Sequence, residues 1–338
     1  MFTKLYKNTK QFMKENYRSA IILLCCYIIF TIPLPYYIYS GGGTINASDR
    51  VEVEKQNKTK GSLHFAYVKE LKGNVASYLL ANLLGWEIEK EEAQKLNQNE
   101  KTEDIEFRNQ IYLKQANQNA IFTAYQKAGK KAMIENRHFY VLYINDQATT
   151  DLKVGDEIIK VEDLTMNDIA TYKDIVDTKE ISEKINITVK RNGIEKKVQA
   201  TVQNIEGTKL TGISIAKIYD YQTTPKLTLH FKASESGPSG GLMLALAIYN
   251  QLVKEDITNG KNIVGTGTIE EDGTVGEIGG VKYKLQGAVA EKADLFLVPT
   301  GDNYQEAIKE KKKHNYKITI KAVSTFDEAL KILKEETK

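Results

Sequence analysis

The feature that most constrains the fold is a glycine- and proline-rich turn, Gly237-Pro238-Ser239-Gly240-Gly241. It joins a strand-like run at residues 227–232 to a helix-like run at residues 242–253. The start of a helix has free backbone N–H groups and the positive end of the helix dipole, which favour negative charge. A serine there can present its hydroxyl while nearby N–H groups stabilise an oxyanion. Ser239 is therefore a candidate nucleophile.

A second glycine-rich stretch, Gly279-Gly280-Val281-Lys282-Tyr283-Lys284, predicts the start of another helix. It carries two lysines, and a serine nucleophile needs a base to activate it. Helical periodicity places Lys282 and Lys284 on opposite sides of the buried stripe at similar angles, and so does not choose between them. Taken alone, Ser239 is better explained as a helix N-cap. The two stretches together indicate a Ser-Lys hydrolase.

Between these stretches lies a threonine strand, Val264-Gly265-Thr266-Gly267-Thr268-Ile269. The three motifs, in this order, resemble those of Lon-type serine proteases. The resemblance runs from about residue 212 to residue 333. It departs from the family pattern at Gly240, where members usually have alanine, and at Ser236, where many have an acidic residue.

The resemblance assigns roles that the spacing does not. In the family's lysine motif the catalytic residue is the second lysine, which implies Lys284 as the base beside Ser239. It implies that Thr266 orients this lysine. Backbone N–H groups of the turn, around Gly237 and Gly240, are then expected to hold the oxyanion.

A different pattern predicts a β-rich unit at residues 137–202. The stretch at residues 152–161 and an Asn192-Gly193 hairpin signal resemble a PDZ domain in its bacterial-protease arrangement. A PDZ groove adds a peptide as an extra strand at a free sheet edge. The resemblance implies that this edge is the strand at residues 139–144. The residues expected to bind substrate there are Tyr140, Val141, Leu142 and Tyr143.

The N-terminal region predicts a membrane anchor. Residues 19–39 carry no charge and are mostly apolar, and about 20 apolar residues span a bilayer as a helix. The basic residues before Ser19 favour a cytoplasmic N-terminus. A cleaved signal peptide is the alternative. We therefore expect a single-pass cell-membrane protein whose catalytic domain is extracellular.

Composition excludes several other classes. The only cysteines, Cys25 and Cys26, lie inside the apolar run, so the rest of the chain has no disulfides or thiolate metal sites. The net charge is +3, and without a basic stripe nucleic acid is not an expected partner. The sequence has no G-x-x-x-x-G-K-[ST] motif. We therefore expect neither cofactor nor metal, and cleavage that does not depend on ATP.

The predicted fold class is α+β. Its parts are a cytoplasmic tail (1–18), a transmembrane helix (19–39), a mixed α/β lobe with a long helix at 103–126 (45–128), a PDZ-like β-domain (137–202) and a Lon-type α+β proteolytic domain (207–335). This arrangement resembles the membrane-anchored PDZ–Lon proteases of Gram-positive bacteria. It implies a serine endopeptidase that cleaves extracytoplasmic peptides or small membrane-tethered proteins. The resemblance does not decide whether the chain is a monomer or an oligomer.

Two alternatives remain at this point. A Ser-His enzyme would use His230, but no Asp or Glu is marked out to orient its imidazole. An inactive hydrolase domain beside a PDZ-like unit would instead make the chain a scaffold for surface proteins.

Overall fold

The computed structural model describes residues 2–54, 57 and 59–335. The chain divides into two compact units. The smaller unit comprises residues 1–40 and 68–94, and the larger unit comprises residues 41–67 and 95–338. The predicted lobe at residues 45–128 is thus divided between them. The predicted cytoplasmic tail begins at Met1, which lies outside the described residues.

The secondary structure alternates between helices and strands. The helices are α1 (Phe2–Thr31), α2 (Val75–Leu84), α3 (Glu91–Gln94), α4 (Thr102–Lys127), α5 (Ile169–Thr178), α6 (Gly241–Leu252), α7 (Val281–Ala290), α8 (Asp302–His314) and α9 (Phe326–Glu335), with a 3₁₀ turn at Ala47–Asp49. The strands are β1 (Pro33–Asn46), β2 (Val51–Val53), β3 (Ser62–Asn74), β4 (Glu87–Lys90), β5 (Lys131–Ile144), β6 (Glu157–Val161), β7 (Leu164–Thr165), β8 (Lys184–Arg191), β9 (Ile194–Thr201), β10 (Gln203–Ile205), β11 (Thr208–Leu210), β12 (Ile213–Thr224), β13 (Leu227–Leu229), β14 (Asn262–Gly265), β15 (Leu295–Pro299) and β16 (Thr319–Val323).

The smaller unit corrects the prediction of a membrane anchor. Among the described residues, no helix is both long enough and apolar enough to cross a membrane. The predicted transmembrane helix at residues 19–39 and the single-pass cell-membrane localisation are therefore wrong. The apolar run is split because α1 ends at Thr31 and β1 begins at Pro33, and proline cannot continue a helix. The rest of the run, residues 36–39, pairs antiparallel with β4.

In the larger unit, the strands β16, β15 and β14 and the first part of β3 lie side by side in that order. Strand β14 runs parallel to both β3 and β15. Alternate residues of these strands enter two different cores. Ile263 of β14 joins the core around α6, whereas Val264 joins the core around α7 and α8. The end of β14 therefore lies between the helix that follows Ser239 and the helix that carries Lys284.

A second sheet has the order β12-β5-β6-β8-β9, and the Asn192-Gly193 hairpin between β8 and β9 is confirmed. This strand order corrects the prediction that the strand at residues 139–144 is a free edge of the sheet. Strand β5 pairs with β12 on one side and with β6 on the other. Tyr140, Val141, Leu142 and Tyr143 thus lie in an interior strand, and β12 is at the end of the sheet.

The long helix predicted at residues 103–126 is confirmed as α4. Its buried residues Ala120, Ile121 and Tyr125 belong to the same core as α6. Helix α4 therefore packs directly against the helix that begins at the Ser239 turn.

Candidate active site

Ser239 immediately precedes the N-cap of α6. The N-cap is Gly240, and no side chain caps the helix there, so the structure does not show Ser239 as a capping residue. Gly237 has a φ of +81°, a conformation that favours glycine. A Cβ at Gly241 would lie 2.7 Å from the Cγ2 atom of Ile269. Positive φ and close packing explain why glycines surround this serine.

Thr266 connects the turn to Lys284. The Lys284 Nζ atom donates a hydrogen bond of 3.2 Å to the Thr266 hydroxyl. That hydroxyl donates in turn to the Ser239 carbonyl at 3.0 Å. The Gly267 N–H donates to the same carbonyl at 2.8 Å. The fold thus brings three of the predicted site residues, which are far apart in sequence, into one connected group.

The two lysines of the motif differ sharply in environment. Lys284 is only 3% exposed, and burial lowers the pKa of its ammonium from 10.5 to about 7, because low-dielectric surroundings disfavour the charged form. Lys282 is partly exposed, and its Nζ lies 4.6 Å from the centroid of the Tyr283 ring. Burial therefore allows the amine of Lys284 to be neutral near pH 7.

The backbone amides of the turn are not equivalent. The Gly237 N–H donates to the Asn109 carbonyl at 3.1 Å. Within the described part of the chain, the N–H groups of Ser239 and Gly240 have no hydrogen-bond acceptor. These two amides, at the start of α6, are available to an incoming anionic oxygen.

Two contacts that the sequence analysis missed hold the segment before Ser239. Arg50 forms a bidentate ion pair with Glu235, with contacts of 2.6 to 3.1 Å. Gln110 of α4 donates to the carbonyls of Ala233 and Glu235 at 3.2 Å. These partners lie more than a hundred positions away in sequence, so no local motif marks them.

A cleft of 680 Å³ opens beside the turn. Its lining comes from α4, the start of α5, β12, Pro238 and the loop at residues 268–272. The loop is held to α4, because Asn119 donates to the Ile269 carbonyl at 3.0 Å. The cleft is therefore built by segments from inside and outside the region that resembles Lon proteases.

Other predicted candidates lie apart from this group. His230 bonds Glu52 at 3.0 Å, and its side chain is half-exposed. The residues described here contain no cluster of three or more His, Cys, Asp or Glu side chains suited to a metal.

A protein-family model matches the C-terminal part of the chain. Residues 216–335 match the family model of the Lon protease (S16) C-terminal proteolytic domain. This match supports serine peptidase activity for that region. A comparison with curated proteins gives no match.

Two solved structures are among the structural matches. One is the PDZ domain of the SdrC-like protein from Listeria monocytogenes, at 18% identity and a TM-score of 0.22, covering 25% of this chain and 92% of that chain. The other is the second domain of a listeria protein, also at 18% identity and a TM-score of 0.22, covering 25% of this chain and 87% of that chain.

Proposed function

We propose that the chain is a serine endopeptidase in which Ser239 is the nucleophile and Lys284 is the general base. The observation that carries this proposal is the buried Lys284 amine, bonded to Thr266, which is itself bonded to the Ser239 carbonyl. Among the described residues no carboxylate pairs with this amine, and a buried lysine in such surroundings is costly to keep charged. In a peptidase the same environment supplies a neutral amine that accepts a proton.

The mechanism follows from this pair. The Ser239 hydroxyl attacks the peptide carbonyl carbon while Lys284 takes its proton, and a tetrahedral oxyanion forms. The C–N bond then breaks, the ammonium of Lys284 returns the proton to the leaving amine, and an acyl-enzyme remains. Lys284 next deprotonates a water molecule that attacks the acyl carbon. The C–O bond to Ser239 breaks, and the serine oxygen takes the proton back.

The free amides of Ser239 and Gly240 are the proposed oxyanion donors. They lie at the start of α6, where the helix dipole adds to the stabilisation of negative charge. Gly237, which the resemblance placed among the donors, has its N–H engaged with Asn109. Its proposed role is to supply the positive φ that turns the chain into this position.

The proposed substrates are peptides and unstructured polypeptides. The sequence has no G-x-x-x-x-G-K-[ST] nucleotide-binding motif, and a cleft of 680 Å³ lined by side chains opens beside the turn. Cleavage is accordingly proposed to proceed without ATP.

Digestion of β-casein, an unstructured protein, tests this function. The wild-type chain should cleave casein without nucleotide and should be labelled at Ser239 by a fluorophosphonate probe. The Ser239→Ala variant, checked for folding by circular dichroism, should do neither. Equal cleavage by both proteins would contradict the proposal, and binding without cleavage by the wild type would favour the scaffold alternative.

A further inference from the structure

The backbone of β12 is open on the side that faces away from β5. The Val141 N–H donates to the Asp156 carbonyl at 2.9 Å, and the Gly155 N–H donates to the Val141 carbonyl at 2.9 Å. Both polar groups of Val141 therefore point away from β12, although Val141 lies opposite Ile215. In an antiparallel ladder this is a non-hydrogen-bonded pair. The N–H and C=O groups of Ile215 consequently point outward from the sheet.

The same orientation recurs at every second residue. The register between Ile215 and Tyr219 is regular, so Lys217 and Tyr219 also direct their backbone groups outward. The Tyr219 N–H confirms this direction, because it donates to the side-chain oxygen of Gln118 on α4 at 3.1 Å. Gln118 thus occupies the position that a neighbouring strand would take at Tyr219. In the region that the structure describes, the outward groups of Ile215 and Lys217 have no such partner.

These open positions lie in the cleft that reaches the Ser239 turn. Ile215 and Lys217 line one part of the cleft, and Pro238, adjacent to Ser239, lines another. Helix α4 forms a common wall that includes Gln115. Unpaired strand groups bind readily to another extended chain. Because one cleft contains both sites, a chain that binds at Ile215 and Lys217 would extend towards Ser239.

We propose that an extended polypeptide segment pairs with the backbone of Ile215 and Lys217 and continues through this cleft to Ser239. Main-chain hydrogen bonds supply the recognition, so the ligand class is unstructured polypeptide of varied sequence. Capture and cleavage then use a single cleft. The cleavage part rests on the proposed function, whereas the binding part does not.

Binding of fluorescein-labelled β-casein to the inactive Ser239→Ala protein tests the proposal without any need for catalysis. In this background, Lys217→Pro removes the outward N–H and leaves the ladder to β5 intact. Lys217→Ala is the matched comparison, because it removes the same side chain but keeps the amide. Fluorescence anisotropy should give a Kd about tenfold weaker for Lys217→Pro than for Lys217→Ala. Equal Kd values for two folded variants would overturn the proposal.

A second variant keeps the test decisive if Lys217→Pro does not fold. Gln115→Trp fills the cleft from α4, and Lys114→Trp places the same side chain at an exposed position of α4 outside the lining. Gln115→Trp should weaken casein binding about tenfold, and Lys114→Trp should bind like the Ser239→Ala parent. Unchanged binding by Gln115→Trp would contradict the proposal. If casein binds to the Ser239→Ala protein as expected but the wild type does not cleave it, only the peptidase function is refuted.

Discussion

At the residue scale, burial of the Lys284 amine is expected to lower the stability of the fold. The pKa of its amine is about 7 when folded and near 10.5 in an unfolded chain, so between these values the unfolded state binds more protons. The free energy of unfolding should therefore rise as pH increases from about 7 to about 10. At and below pH 7 the burial cost is largest.

Replacement of Lys284 by methionine should remove this cost. Lys284→Met keeps an unbranched side chain of similar volume without the charge, and the Thr266 hydroxyl retains its bond to the Ser239 carbonyl. We expect the variant to be inactive yet more stable at pH 7, by roughly 2–4 kcal/mol. Urea unfolding at pH 7 and pH 10 measures the difference. A variant that is less stable than the wild type at pH 7 would contradict the assigned burial cost.

The two lysines of α7 should behave differently when truncated. Lys284→Ala should abolish casein cleavage as fully as Ser239→Ala, because the base is lost. Lys282→Ala should retain most activity, since Lys282 is partly exposed and the structure gives its amine no bond to Thr266. Initial rates of casein hydrolysis compare them. An active Lys284→Ala beside an inactive Lys282→Ala would reverse the assignment while keeping a Ser-Lys mechanism.

At the element scale, the position of α7 depends on a close approach to β1. A Cβ at Gly287 would lie 2.9 Å from the Gly43 carbonyl oxygen, and backbone atoms cannot yield as a flexible side chain can. Gly287→Ala should therefore destabilise the protein by about 1–3 kcal/mol and slow casein cleavage by displacing Lys284. Gly279→Ala is the control, because no atom lies within 4 Å of a Cβ there. Thermal unfolding of both variants tests this, and equal melting temperatures would contradict it.

Several elements could be predicted because the residues that specify them are neighbours in the sequence. The helix predicted at residues 242–253 is α6, and the Asn192-Gly193 turn forms the expected hairpin. The apolar run at residues 19–39 was wrongly predicted to form one helix, since composition alone does not show that the chain changes from helix to strand near residue 32. The interior position of β5 was equally hidden, because its partner β12 begins far downstream.

Likewise, only some residues of the candidate site could be predicted from the sequence. The motifs located Ser239, Thr266 and Lys284, but only the resemblance to Lon proteases distinguished Lys284 from Lys282. The structure supplies an independent physical reason, which is the burial of Lys284. Arg50, Asn109 and Gln110 could not be predicted, because their contacts with the turn depend on tertiary packing.

At the scale of the whole molecule, the matched region does not contain its own complete core. Val53, Phe65 and Tyr125 lie outside residues 216–335 yet belong to the core around α6. Arg50 and α4 also fix the segment before Ser239. A domain assembled from such distant segments should not survive their removal.

A fragment of residues 203–335 should therefore fail to fold, although it contains the whole match. Removal of β3 and α4 exposes apolar surface of α6 and leaves buried sites without packing partners. Circular dichroism during heating should show no cooperative transition for the fragment, whereas the full chain should show one. A fragment that melts cooperatively and reacts with the fluorophosphonate probe would contradict this account.

The central claim is that a neutral Lys284 activates Ser239, and the pH dependence of Ser239 phosphonylation by a fluorophosphonate probe tests it most directly. Labelling by the fluorophosphonate probe should be slow at pH 5 and should rise with an apparent pKa of about 7, the value that burial gives Lys284. Peptide mapping should place the label on Ser239. A rate that is independent of pH between 5 and 9, or that rises only near the ordinary lysine pKa, would contradict the account.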